Sequence, residues 1–387
     1  MTVKELLNSI PKELTDKLAE ETGVNHSVQR LRGRVMLDLL LFGMIRSERL
    51  STHVLEELYK SKLFESFSSK DKNHQTRHSS IAERLKVIPP EYFSGIFKWA
   101  YQHFFATHGG SKKTKKLTRF DSTMIKISSA LVDWGMKVGR KPKNTPRQVQ
   151  LKVTLGLKGM FPKIVNIHTE QSFLSEENAL KEIILQNGSN PDEIISFDLG
   201  LKSRKSLQKF DNQQIKFVTR GGDNLRYKVI NSKETLPKEQ NGLQFIQDSE
   251  IQLYDGSNEL FEHKFRLVEV IDTETDERLY FITNITKLTA VQIAEIYRRR
   301  WDIEVFFRFI KQELNIKHLL SHSTNGIEVQ IYVTLLLAVL LTVFKVSNNL
   351  KGYKIPKLRF EDELLFHIAE QIREGDKIVK ISQEPVF

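Results

Sequence analysis

No cysteine occurs among the 387 residues. Disulfides and thiolate-held metals are therefore excluded, and a reducing compartment is compatible with the chain. The N-terminal Met-Thr-Val-Lys-Glu-Leu-Leu lacks the zones of a signal peptide. Long apolar runs are scarce. The longest, residues 331–344, carries two threonines and falls short of the roughly 18 residues expected of a membrane span, so it reads as a buried core helix. Internal repeats and low-complexity tracts are missing as well. Acids are outnumbered, 48 against 59 Lys and Arg, which leaves a net charge of +11 and a pI near 9.4. That excess favours a polyanionic partner, nucleic acid first and an anionic membrane surface second.

What is present is enough apolar content, 40%, to bury a sizeable core in two or three units. Residues 1–108 read as all-helical. Residues 37–45 are strongly apolar, Ser51 can cap a helix over 52–62, and Pro89-Pro90 closes a helix that starts near Ser79. The aromatic-rich stretch 91–105 reads as a core helix. His74 and His78 have metal-ligand spacing but lie in a polar loop, and a solvated loop is the plainer reading. Gly109-Gly110 opens a linker into the densest basic run of the chain, Lys112, Lys113, Lys115 and Lys116. This run is either solvated linker or a set of phosphate contacts.

From Leu117 the pattern changes to mixed α/β. Residues 117–127 read as a strand containing Asp121, and acids are depleted in strands unless an edge or a site needs them. Residues 148–157 and 161–168 read as a hairpin turned at Lys158-Gly159. A helix follows from Ser175, then a strand ending in Asp198, a helix opened by Ser203, and a strand over 215–219 ending at Arg220-Gly-Gly. Short β-like runs fill residues 223–285, with turns at Asp255-Gly256 and 273–276, and suggest a small β-rich insertion. The tail from residue 350 carries a further helix, near 360–373.

The stretch from Tyr297 to Lys311 reads as one amphipathic helix, begun by a capping box at Thr289-Ala-Val-Gln292. With Tyr297 at zero on a helical wheel, Arg300 falls at roughly −60°, Lys311 at −40°, Glu304 at −20° and Arg308 at +20°. Ile296, Ile303, Phe306, Phe307, Ile310 and Leu314 fall on the opposite, core-facing side. A lone carboxylate within a row of cations can ligate a hard divalent metal while the cations hold phosphates on either side. The same face can also be a solvated one laced by Arg300–Glu304 and Glu304–Arg308 pairs. If Asp121, Asp198 and Glu304 converge, they can hold two Mg²⁺ or Mn²⁺ ions that clamp the attacking and leaving oxygens of a phosphodiester.

These residues resemble a known family. Tyr297-x₂-Arg300-x₃-Glu304-x₆-Lys311 is similar to the Y-R-E-K signature of IS4-type DDE transposases. The resemblance extends to Phe120-Asp121-Ser-Thr123, Ile195-Ser-Phe-Asp198-Leu-Gly200, Phe217-Val-Thr-Arg220, residues 37–45 and residues 78–85. It implies an RNase H-like catalytic core, residues 109–222 and 286–349, interrupted by the β-rich insertion 223–285. A helical DNA-binding domain, 1–108, would precede it, and a tail, 350–387, would follow. It implies that Asp121, Asp198 and Glu304 form a triad binding two Mg²⁺ or Mn²⁺ ions, and that Tyr297, Arg300 and Lys311 contact DNA at the cleaved element end. Arg308, Arg220 and the lysines at 112, 113, 115 and 116 would add phosphate contacts. The expected partner is double-stranded DNA, bound by a homodimer at paired terminal inverted repeats in a bacterial cytoplasm, with no membrane involved. Cleavage would be followed by strand transfer into target DNA. One departure stands beside the site: Leu-Gly-Leu follows Asp198 where many relatives carry Arg-Gly-Tyr.

Two other classes compete. One is a catalytically silent DNA-binding regulator, against which the three intact acids argue, since a binding module gains nothing by setting carboxylates against phosphates. The other is a carboxylate-pair hydrolase such as a glycosidase, which the basic charge and cationic helix face disfavour.

Overall fold

The computed structural model describes residues 1–383 apart from 69, 72–73, 112–114, 132, 139–147, 189, 199–202, 238 and 255–258. The chain divides into two compact units: Met1–His108 with Ile127–Trp134 and Phe307–Phe387, and Gly109–Lys126 with Gly135–Phe306. Residues 307–349, which the sequence suggests as part of the core, thus group with the helical N-terminal residues.

The first unit is helical. Its early elements are α1 (Val3–Asn8), α2 (Lys12–Thr22), α3 (Gly33–Arg46), α4 (Thr52–Lys60), α5 (Lys62–Phe67), α6 (His78–Val87) and α7 (Pro90–His108). Ser51 caps α4 as expected, its hydroxyl accepting from the Val54 amide. Ser61 does the same for α5, so the helix expected over 52–62 ends at its own next cap. The apolar run 331–344 lies inside a 24-residue helix, Thr324–Ser347, whose mean hydropathy reaches 2.2 over an 18-residue window. By length and composition this helix can cross a membrane, which corrects the expectation that it is too short. It is instead 89% buried over that window, the state of a core helix. The final helix, Lys354–Gln383, is longer than expected.

The second unit is built on one mixed sheet. Its strands are β1 (Leu117–Ile127), β2 (Met136–Val138), β3 (Gln148–Lys158), β4 (Phe161–His168), β5 (Ile194–Phe197), β6 (Lys216–Gly221), β7 (Tyr227–Ser232), β8 (Glu239–Gln240), β9 (Leu243–Tyr254), β10 (Leu260–Asp272) and β11 (Arg278–Thr283). The order is β2-β3-β1-β5-β6-β11-β10-β9-β7, with β4 on β3 and β8 on β9. β3 and β4 form the expected hairpin, with Gly159 at φ +59° in the turn, where a left-handed residue is needed. β1, β5 and β6 run parallel, Arg119 opposite Ser196 and Phe197 opposite Thr219. The sequence β4-β3-β1-β5-β6 is the RNase H-like arrangement. β11 pairs antiparallel with β6, so the β-rich stretch extends the same sheet rather than making one of its own.

Helices cover both faces. Successive strand residues point to opposite sides. Phe120, Phe197, Phe217 and Ile282 pack in one cluster with α8 (Glu176–Asn187) and α9 (Arg204–Asn212). Val218 and Phe281 pack in the other with α10 (Ala290–Arg298). Asp121, next to Phe120, therefore faces the α10 side.

The long helix expected from Thr289 onward is two helices, α10 and α11 (Trp301–Gln312). The capping box at Thr289 and Gln292 is present. The break falls at Arg299-Arg300, where Arg300 N donates to Tyr297 O and Ile303 N to Arg300 O, bonds of the tighter three-residue spacing. Tyr297 and Glu304 consequently belong to different helices, and a single wheel does not describe them.

Candidate active site

Asp198 leaves the end of β5 half-buried, and the Tyr297 hydroxyl donates to its Oδ1 at 2.8 Å. The Tyr297 ring is fixed from below by Phe281, with centroids 4.9 Å apart. Burial raises the Tyr297 pKa, and the Asp198 charge adds to it, so the phenol stays a donor. Arg300 is buried, and its Nη2 is 3.7 Å from Asp198 Oδ2 while donating to Glu304 Oε1. Its guanidinium carbon lies 5.5 Å from the Tyr297 ring centroid. Burial opposes the charge of Arg300, but Tyr297, Asp198 and Glu304 hold its pKa above the ordinary value.

Asp121 joins this group through its field. Its Oδ1 accepts the Ser122 amide at 2.7 Å. Burial pushes its carboxyl up to about 6, with Glu176 and Glu304 adding to the rise and Arg300 and the Ser122 amide opposing it. Two of the three sequence-predicted acids, Asp198 and Glu304, thus share the Arg300 guanidinium, and Asp121 lies within electrostatic reach of it. Glu176, at the start of α8, is a fourth acid within electrostatic reach. Its place in the first helical turn, after the Ser175 cap, does not distinguish it in the sequence.

Buried charged groups tie the framework. Arg119 in β1 is fully buried; it donates to Gly159 O and pairs with Asp302 of α11 at 3.1 Å. This bond fastens the first turn of the Glu304 helix to the Asp121 strand. Glu193, just before β5, receives Thr118 and pairs with Lys158 at 3.0 Å and Lys163 at 3.3 Å. Burial resists its charge, but these partners lower its pKa.

Among the other expected site residues, Arg220 follows Thr219, which lies opposite Phe197 in the parallel β5–β6 register, and so stands one strand over from Asp198. Arg220 pairs with Glu277 at 2.5 Å beside a cleft of about 410 Å³ that Gly221, Gly222 and Arg204 also line. Arg308 is exposed on α11, and Lys311, half-buried further along, sets its ammonium 5.3 Å from the Phe307 ring centroid. Lys115 is half-buried and Lys116 exposed, whereas Lys112 and Lys113 lie outside the described residues, as does the Leu-Gly-Leu after Asp198. His74 stands 4.0 Å from Asp71, and His78 pairs not with it but with Glu56.

The donor set is all hard oxygen, and three carboxylates against one guanidinium leave negative charge uncompensated in a partly buried place. That chemistry fits a hard divalent cation such as Mg²⁺ or Mn²⁺.

The chain is similar to several known proteins. Over 155 residues, 40% of this chain, it is 31% identical to a protein named as transposase y4zB of Sinorhizobium fredii. It is 24% identical over 68% of its length to one named as a transposase for insertion sequence element IS5377 of Geobacillus stearothermophilus. It is 26% identical over 62% of its length to one named as a transposase for IS4SA of Synechocystis sp.. The matches span 42%, 66% and 63% of those relatives, under two thirds of each. Among solved structures, the piggyBac transposase synaptic complex with hairpin DNA aligns with a TM-score of 0.49 at 12% identity, covering 100% of this chain and 82% of that one. The transposase DDE domain family matches residues 112–341, well over half of the chain. The chain belongs to the transposase DDE domain family.

Proposed function

We propose that this protein is the transposase of an insertion sequence, cutting DNA at the element's terminal inverted repeats and joining the ends to target DNA. The observation that carries the reading is the linkage of Tyr297, Asp198, Arg300 and Glu304, with Asp121 in the same field. Membership in the DDE family supports it.

Asp121, Asp198 and Glu304 would hold one or two Mg²⁺ or Mn²⁺ ions, which when bound activate the attacking hydroxyl and stabilise the leaving oxygen. The side chains around them do the positioning. Tyr297 fixes the rotamer of Asp198 from a half-buried ring, and Arg300 neutralises part of the carboxylate charge while aiming a cation at phosphate. Arg308, Lys311, Lys115, Lys116 and Arg220 add backbone contacts that position DNA without reading its sequence. Lys112 and Lys113 would extend the same contact. The helical first unit would recognise the repeats, and two copies would hold paired ends in a bacterial nucleoid.

A duplex carrying the flanking inverted repeats, given to the purified chain with and without Mg²⁺, tests the reading. Metal-dependent cuts at the repeat boundary support it. Salt-sensitive binding with no cut in Mg²⁺ or Mn²⁺ would make the chain a silent DNA-binding regulator instead.

A further inference from the structure

The helical unit holds a constellation of its own. His53 and Glu56 lie three residues apart in the first turns of α4, and His78 is the first residue of α6. One ligand atom from each lies within 4.8 Å of the other two. The His53 and His78 rings stack at 3.9 Å between centroids, 27° from parallel. His78 Nδ1 is 2.9 Å from Glu56 Oε2, which also accepts the His78 amide at 2.7 Å. Lys60 takes the other oxygen, Oε1, at 2.7 Å.

Fastening the start of α6 to α4 needs only the Glu56 carboxylate and the His78 amide. A second imidazole stacked on the first is not required for that task. Two imidazoles and a carboxylate oxygen are, however, the ligand set of a borderline first-row ion with one open position. In a tetrahedral site with bonds of about 2.0–2.1 Å, neighbouring ligand atoms stand about 3.3 Å apart. The Nδ1–Oε2 pair must open by only a few tenths of an ångström, and the exposed His53 ring must turn out of the stack so that its in-plane lone pair points at the ion.

We propose that His53, Glu56 and His78 form a binding site for a zinc-class divalent ion, with water in the fourth position. Glu56 Oε2 and His78 Nδ1 ligate, the imidazole proton moving from Nδ1 to Nε2, while Lys60 stays on Oε1. The ion staples α4 to α6 across the intervening α5 and loop. The site is distinct in chemistry from the acid triad: imidazole ligands select zinc, cobalt or nickel over Mg²⁺.

The test is a Co²⁺ titration of the full, tag-free chain in excess Mg²⁺, followed by visible d–d absorption and by equilibrium dialysis. One Co²⁺ per chain is expected, with the intense bands of four-coordination, displaced by Zn²⁺ and retained in His74→Ala and Glu304→Gln. His53→Ala should abolish it, and because His53 is exposed the metal-free melting temperature should not move. His78→Gln should abolish it too. Zn²⁺ should raise the melting temperature of the parent but not of either variant. Undiminished binding in His53→Ala, loss in Glu304→Gln, or no bound cobalt in the parent would each overturn the proposal.

Discussion

The Tyr297 hydroxyl and the Asp198 carboxylate meet at 2.8 Å although 99 residues separate them in the chain. The bond joins the end of a sheet strand to the last turn of α10. Hydrogen bonds to charged groups contribute about 1.5–3 kcal/mol. Tyr297→Phe keeps the ring on Phe281 and removes only the donor. Single-turnover cleavage should fall about tenfold or more, while the melting temperature drops by only a few degrees. A rate equal to the parent would show that Asp198 does not depend on this tyrosine.

Arg300 is the one described cation shared by Asp198 and Glu304. Arg300→Ala leaves those carboxylates facing one another and Asp121. The metal-free chain should lose roughly 1–3 kcal/mol of stability. Mg²⁺ should recover more of that loss than it adds to the parent, because the ion then supplies the missing charge. Denaturant melts in EDTA and in Mg²⁺ check this; equal Mg²⁺ effects in both proteins would contradict it.

Asp121 gives a pH signature. Its folded pKa is pushed up to about 6, above an ordinary value of 3.8. Between these values the folded chain binds more protons than the unfolded one, so stability from this group is present below pH 4 and is lost as pH rises through 6. The loss is of the order of 2–3 kcal/mol in the absence of metal. Asp121→Asn should therefore stabilise the metal-free chain at pH 7 while abolishing cleavage, its amide oxygen still accepting from Ser122. A destabilised Asp121→Asn chain in EDTA at pH 7 would contradict the account.

Arg220 pairs with a half-exposed Glu277, and such pairs contribute about 0–1 kcal/mol. Arg220→Gln should thus barely change stability. If Arg220 holds a phosphate, the slope of log affinity against log salt should fall by about 0.9. Lys115→Gln and Lys116→Gln should each do the same. Filter binding across a salt series measures the slopes, and unchanged slopes would remove these residues from the DNA contact.

Much of this arrangement could be read from local pattern. β1 around Asp121, the hairpin at Gly159 and the capping box at Thr289 follow from period-two alternation, a left-handed glycine and a capping side chain, each set within a few residues. The break at Arg299-Arg300 could not be read, because both residues are good helix formers and the wheel runs through them without a gap. The spatial grouping of the acids was equally hidden. It depends on strand order, which places β5 between β1 and β6, and on buried Arg119 reaching Asp302. β7 has no signal in the sequence, since its residues are largely exposed and lack an alternating pattern. Sequence spacing sets His78 with His74, whereas folding brings it to Glu56.

Asp121, Asp198 and Glu304 are proposed to hold the ions that cut DNA. A chain without cysteine offers a direct measurement: replace each acid singly by Cys and assay end cleavage in Mg²⁺ and in Mn²⁺. A thiolate is a poor ligand for Mg²⁺ and a better one for Mn²⁺. Each variant should be inactive in Mg²⁺ and regain cleavage in Mn²⁺. Cleavage by any of the three in Mg²⁺ at the parent's rate would contradict it.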